Sequence, residues 1–212
     1  MKRWFRELSF DLREPGINIW SMPIFSAFFI IGSILIQSEL GVNNTVTLSV
    51  MEIMIPFMGG YASIMIMQGL LDTEGCEILY TYNRSYLYWG ILRQIRLFSV
   101  QIVHIILVCG SIAVIMEESF VPLLVLTVVQ SFAVMSISFF GMALTKKVSV
   151  ALIILIAFVG VQITLGREIS FINLIFILTG SVPDDSMLMG VCVRSIFIGI
   201  FGGSIGQLWI RP

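Results

Sequence analysis

Residues 120–144 read FVPLLVLTVVQSFAVMSISFFGMAL, a run of 25 residues without a charged side chain. As a helix this run rises about 37 Å, more than the ~30 Å hydrocarbon core of a bilayer, which takes about 20 apolar residues to cross. Outward from it, Ile91–Met116 and Val148–Gly166 meet the same test or nearly so, and beyond them do Asn18–Gln37, Leu48–Leu71 and Met187–Trp209. The expectation is an all-α membrane protein with six transmembrane helices. Phe171–Leu178 is too short to span and is expected to form a short re-entrant or interfacial hairpin before the sixth helix, within the segment 167–186.

Composition points the same way. Of 212 residues, 58% are hydrophobic and 12% charged, about half the charge of an ordinary soluble domain. One soluble core of this size could not hide so much apolar side chain. The net charge of -1 and the lack of a basic run exclude nucleic acid as a partner. Cys76, Cys109 and Cys192 stand singly, with no metal or disulfide spacing, and read as small hydrophobes. No cleavage site follows the first apolar run, so it is expected to stay as the first span of a single transmembrane domain over 1–212.

Lys and Arg set the orientation. If the N-terminus lies inside, ten of the twelve basic residues fall in cytoplasmic segments: Lys2, Arg3, Arg6, Arg13, Arg84, Arg93, Arg96, Lys146, Lys147 and Arg211. The opposite segments carry Glu39, Glu117, Glu118, Glu168, Asp184 and Asp185. The pattern predicts an N-in/C-in protein. Within segment 1–16, Trp4, Phe5, Leu8 and Leu12 recur at helical spacing among charged residues, and Pro15-Gly16 follows. That predicts an amphipathic elbow helix on the membrane surface, its basic groups toward anionic lipids and Glu7 and Asp11 away from the apolar stripe.

The long segment 72–90 mixes charge with Tyr80, Tyr82, Tyr86, Tyr88 and Trp89. Glu77, Tyr80, Thr81 and Arg84 share one helical face, and Ile78, Leu79, Tyr82 and Tyr86 the adjoining one. Such a helix could present an aromatic, charged knob to a cytoplasmic partner, or rest its rings among headgroups; the residues weigh evenly for both.

Ionisable residues inside spans are functional candidates by default. Glu52 near the outer end of the second span reads as a snorkelling or water-facing acid, and His104 as a packing histidine. Arg194 lies about 10 Å into the sixth span, with no acid three or four residues away. Its expected partner is Glu52 or the Asp184-Asp185 pair, in a structural ion pair or beside a substrate pathway. Gly199, Gly202, Gly203 and Gly206 form overlapping small-xxx-small pairs, for packing within the subunit or for a dimer seam. Pro56 with Gly59 and Gly60 predicts a kink in the second span that could act as a gate.

The order of elements, an amphipathic elbow, two spans, a cytoplasmic helix, three spans and a hairpin before the sixth, resembles the ABC-2 family of ATP-binding-cassette permeases. In that family's first cytoplasmic loop an acid, Gly-Thr, Glu, Leu and Thr-Pro recur. Here the matching stretch is Asp72, Glu74, Gly75, Cys76, Glu77, Leu79, Thr81, Asn83 and Ser85. Cys76 stands for the usual Thr and Asn83 for the usual Pro. The resemblance implies a coupling helix, with Glu74, Glu77, Leu79, Tyr80, Tyr82 and Arg84, that docks on a separate cytoplasmic ATPase dimer. It also implies a second permease copy or a sister permease. ATP and Mg would be bound by the ATPase, with no cofactor in this chain.

The chain has no phosphate-cradling loop of its own, because Lys2, Lys146 and Lys147 do not follow glycine. Catalysis within the membrane would need converging polar groups, and one His without paired acids does not supply them. The expected function is the non-catalytic permease subunit of an exporter in a bacterial plasma membrane, with a peptide or small amphipathic cargo. The alternatives are a lipid or glycan exporter and a non-transporting sensor or assembly subunit.

Overall fold

The computed structural model describes residues 2–13, 17–40, 45–72, 86–165, 174 and 185–210. The helices are α1 (Lys2–Arg13), α2 (Ile17–Leu40), α3 (Thr45–Leu71), α4 (Tyr86–Trp89), α5 (Ile91–Met116), α6 (Phe120–Thr145), α7 (Val148–Leu165) and α8 (Asp185–Trp209). No strand occurs among the described residues. The six apolar runs are all helical, as α2, α3 and α5 to α8, with ends moved by at most three residues. Four helices, Val46–Leu71, Leu87–Met116, Phe120–Thr145 and Ser186–Trp209, are long and apolar enough to cross a membrane. Pro23–Glu39 and Val148–Thr164 are shorter apolar helices.

The bundle buries polar side chains among its apolar core and is apolar on its outside as well. Fully buried positions include Ser26, Thr47, Glu52, Ser63, Gln101, Thr127, Gln130 and Ser195. Exposed positions include Phe28 and Leu35 on α2, Leu107 and Val114 on α5, Ile153 on α7, and Phe197, Ile200 and Phe201 on α8. In water this distribution would expose apolar patches far beyond the few hundred Å² a soluble monomer tolerates. In hydrocarbon it is the stable arrangement, since outward apolar groups face lipid and Ser26, Thr47, Glu52, Ser63, Thr127 and Gln130 are hydrogen-bonded inside. The chain is an all-α, multi-pass membrane protein.

Helix α6 is the hub. It packs against α3, α5, α7 and α8, while α2 lies outside α3. Two tight turns with left-handed C-cap residues, Glu117 (φ 56°) and Lys146 (φ 53°), return the chain from α5 to α6 and from α6 to α7. One end of the bundle gathers α1, Asp72, Gly90, Lys146 and Gln207. There the Asp72 carboxylate accepts from the Val148 N–H (3.2 Å), and the Gln207 side-chain carbonyl accepts from the Ile91 N–H (2.8 Å). At the other end Thr47 of α3 donates to the Gln37 side-chain carbonyl of α2 (2.9 Å).

Candidate functional site

At the α1 end, α1 shows three faces set by its 3.6-residue period. Trp4, Glu7 and Asp11 turn toward α5; Phe5, Leu8 and Leu12 form the apolar stripe; Arg6 and Arg13 are exposed. Asp11 is buried and meets two arginines of α5: Arg93 Nε at 3.1 Å and Arg96 Nε at 2.5 Å. Arg96 also approaches Glu7 at 3.5 Å, and its guanidinium lies over the rings of Trp4 and Tyr88. The acids of α1 therefore face protein, not water. Arg93 and Arg96, which the charge pattern assigned to a cytoplasmic segment, are buried in the first turns of α5. The reason is electrostatic: two guanidiniums buried in a low-dielectric site need carboxylates more than those carboxylates need water.

The expected coupling residues Glu74, Glu77, Leu79, Tyr80, Tyr82 and Arg84 lie outside the described residues. Their flanks do not. Asp72 caps toward α7, and Tyr86–Trp89 forms a single helical turn that leads into α5. Trp89 packs on the main apolar core, and its ring meets Tyr88 edge-on at 5.3 Å. Two of the loop's aromatics are thus used within the bundle.

In the half of the bundle away from α1, Glu52 is 1% exposed, which corrects its reading as a water-facing acid. Gln130 of α6 donates to Glu52 (2.6 Å) and also to the Leu174 carbonyl. The Leu174 N–H donates to Gln162 of α7 (2.9 Å). Leu174 is buried and outside any helix, inside the stretch expected to form the hairpin. Non-helical backbone at this depth survives only where side chains replace the missing helical bonds, and two glutamines do so. The rest of 167–186 up to 184 lies outside the described residues. Elsewhere the single hydroxyl proton of Ser63 of α3 is shared between the Gln94 side-chain carbonyl (2.8 Å) and the Met135 carbonyl (3.1 Å), and His104 bonds Ser26 (2.9 Å), the packing role expected of it.

Pro56 sits inside α3, which runs unbroken from Thr45 to Leu71. Gly59 and Gly60 mark its crossing with α6. A Cβ on Gly59 would lie 3.2 Å from Met135, and one on Gly60 would lie 2.6 Å from Ser138 and 2.9 Å from Leu155. These glycines serve close packing here.

The α8 glycines face α6. A Cβ on Gly202 would lie 3.3 Å from the Ser136 backbone, one on Gly206 would strike the Phe139 ring at 2.8 Å, and Gly199 lies under Phe132. Both numberings rise together, so the two helices run parallel. The glycine seam is packing within the chain. Arg194 donates from Nε to the Gly190 carbonyl of its own helix (3.1 Å) and lines a shallow recess with Ser186 and Met187. Beside the seam, α5 and α8 splay over α6 and leave a cleft of about 250 Å³, lined by Gln94, Phe98, Phe132, Ser136, Gly203 and Ser204 among others. Nearer the α1 end Gly90 packs on Gln207, where a Cβ on Gly90 would meet the Gln207 amide.

Among the described residues no three His, Cys, Asp or Glu side chains are grouped to hold a metal ion. The chain matches no family, no characterised protein and no solved structure. The class the fold defines is a multi-pass helical membrane protein with an amphipathic helix locked to one end of its bundle.

Buried polar side chains that a search for charge passes over organise this site. Gln101, Gln130, Gln162 and Gln207 are the missed signal: uncharged amides in otherwise apolar spans, each buried.

Proposed function

We propose that this chain is the permease subunit of an ATP-driven exporter, with six spans and both termini in the cytoplasm. It works with a second copy or a sister permease and is driven by a separate cytoplasmic ATPase dimer that binds ATP and Mg. The cargo is a peptide or small amphipathic molecule, and the membrane is a bacterial plasma membrane. The observation that carries this reading is the α1–α5 lock. The segment 73–85, whose sequence resembles a coupling loop, leads through α4 into the start of α5, where Arg93 and Arg96 are tied to α1 through Asp11. A push on that loop would reach α5 and α1 as one unit, since a buried ion pair resists separation.

The experiment uses the full-length chain purified from its native membrane with whatever ATPase accompanies it, then reconstituted in nanodiscs. Vanadate-sensitive ATP hydrolysis should copurify with the chain and be lost in Glu77→Lys and Tyr80→Ala, while the chain's thermal unfolding is unchanged. Purified chain without nucleotide-hydrolysing partner, or hydrolysis indifferent to both substitutions, would overturn the proposal.

A further inference from the structure

Between α1, α2 and α5 lies an open groove of about 530 Å³. Its roof is the apolar stripe of α1, with Trp4, Leu8 and Leu12, and its floor is α5 from Leu97 to Leu107. That floor is about 15 Å long at helical rise, half the ~30 Å hydrocarbon core, or the depth of one leaflet. Pro23 of α2 forms a side wall, and at the deep end His104 has its ring nitrogen engaged by Ser26. On the opposite side of α1, Arg6 and Arg13 are exposed seven residues apart, on one helical face. Cations thus stand above an apolar slot one leaflet deep, and Glu7 and Asp11 are turned away from them into the α5 arginines.

We infer that this groove binds one phospholipid with an anionic headgroup, drawn from the leaflet on the α1 side. The headgroup phosphate pairs with Arg6 and Arg13, and an acyl chain runs along α5 under Trp4 as far as His104. Charge complementarity selects an anionic headgroup, because each basic side chain at the surface contributes to attraction for anionic lipid. The match of groove depth to a single leaflet selects an acyl chain. This site is independent of the exporter reading, since neither the loop 73–85 nor an ATPase takes part in it.

Trp4 is the reporter. The full-length chain is placed in nanodiscs containing dibrominated phosphatidylglycerol or, separately, dibrominated phosphatidylcholine at the same mole fraction. Subtracting the signal of Trp4→Phe isolates the Trp4 fluorescence. Quenching should be stronger with the anionic lipid, and that preference should fall about fivefold with each of Arg6→Gln and Arg13→Gln. Val100→Phe, which fills the slot, should weaken quenching by both lipids. Equal quenching by the two lipids would reduce the groove to ordinary annular contact and overturn the inference. So would a Trp4 shielded from both, as a second copy of the chain or a bound cargo in the groove would produce, or a Val100→Phe variant quenched like wild type.

Discussion

At the α1–α5 contact four charged side chains, Glu7, Asp11, Arg93 and Arg96, meet at the edge of the bundle with two aromatic rings around Arg96. At the α6–α8 glycine seam the nearest neighbours are the uncharged Phe132, Ser136 and Phe139. Gly202 and Gly206 let the backbone of α8 approach Ser136 and the ring of Phe139, so this seam is set by close packing. In a bilayer the hydrophobic effect does not press helices together, because lipid is as apolar as their side chains. What remains is close packing, which many small contacts share, and polar pairing, which a few atoms concentrate. The first contact should therefore fail abruptly when one atom group is removed, and the second gradually as volume is added.

The sharpest break expected is at Asp11. Asp11→Asn takes from two buried guanidiniums their shared carboxylate and should destabilise the protein by about 3 kcal/mol, the low end for breaking a buried pair because Arg96 keeps Glu7. Unfolding in lipid discs measures it, and α1 should become protease-sensitive before the rest of the chain. A shift below about 0.5 kcal/mol would mean that α1 rests on α5 without depending on the pair.

The glycine seam gives the intermediate effect. Gly206→Val should cost about 1–3 kcal/mol through overpacking against Phe139 and Phe140. Gly203→Ala, whose Cβ would lie 3.8 Å from Ser136 Oγ, should stay within about 0.5 kcal/mol of wild type. If the two were equally harmful, α8 would meet α6 on a different face.

Smaller still is the glutamine clamp. Gln130→Leu removes its bonds to Glu52 and to the Leu174 carbonyl and should cost about 0.6–1.7 kcal/mol, from the average to the maximum found for hydrogen bonds between membrane helices. A cysteine at Leu174 should then react faster with a thiol reagent. Unchanged reactivity would show that Gln162 alone holds the segment.

The fold was largely legible because the membrane imposes a length rule. Apolar runs such as Ile91–Met116 became helices with almost unchanged ends. The α1 stripe was legible too, but not which side of it faces protein. Its acids and its basic residues are both at helical spacing, and the choice between them is made by Arg93 and Arg96, more than 80 residues along the chain. The α8 glycines announced close approach without naming the partner, since a small-xxx-small pair fits a neighbour in the same chain or in another. Glu52 was misplaced for a similar reason. Whether an acid two turns from a helix end meets water depends on what covers it, and here Gln130 and Leu174 do.

All of these contacts rest on one arrangement. The helices α2, α3 and α5 to α8 alternate direction, so α1, Asp72, Lys146 and Gln207 share one end, and Thr47, Glu118 and Met187 the other. A chain with Cys76, Cys109 and Cys192 replaced by serine, carrying one new cysteine at Arg13, Lys146, Glu118 or Met187, tests this with a membrane-impermeant thiol reagent. Arg13→Cys and Lys146→Cys should label only from the cytoplasmic side, and Glu118→Cys and Met187→Cys only from the opposite side. Labelling of Arg13→Cys and Lys146→Cys from opposite sides, or of Lys146→Cys and Met187→Cys from the same side, would mean that α2 or α7 does not cross the membrane, and would overturn the proposed six spans.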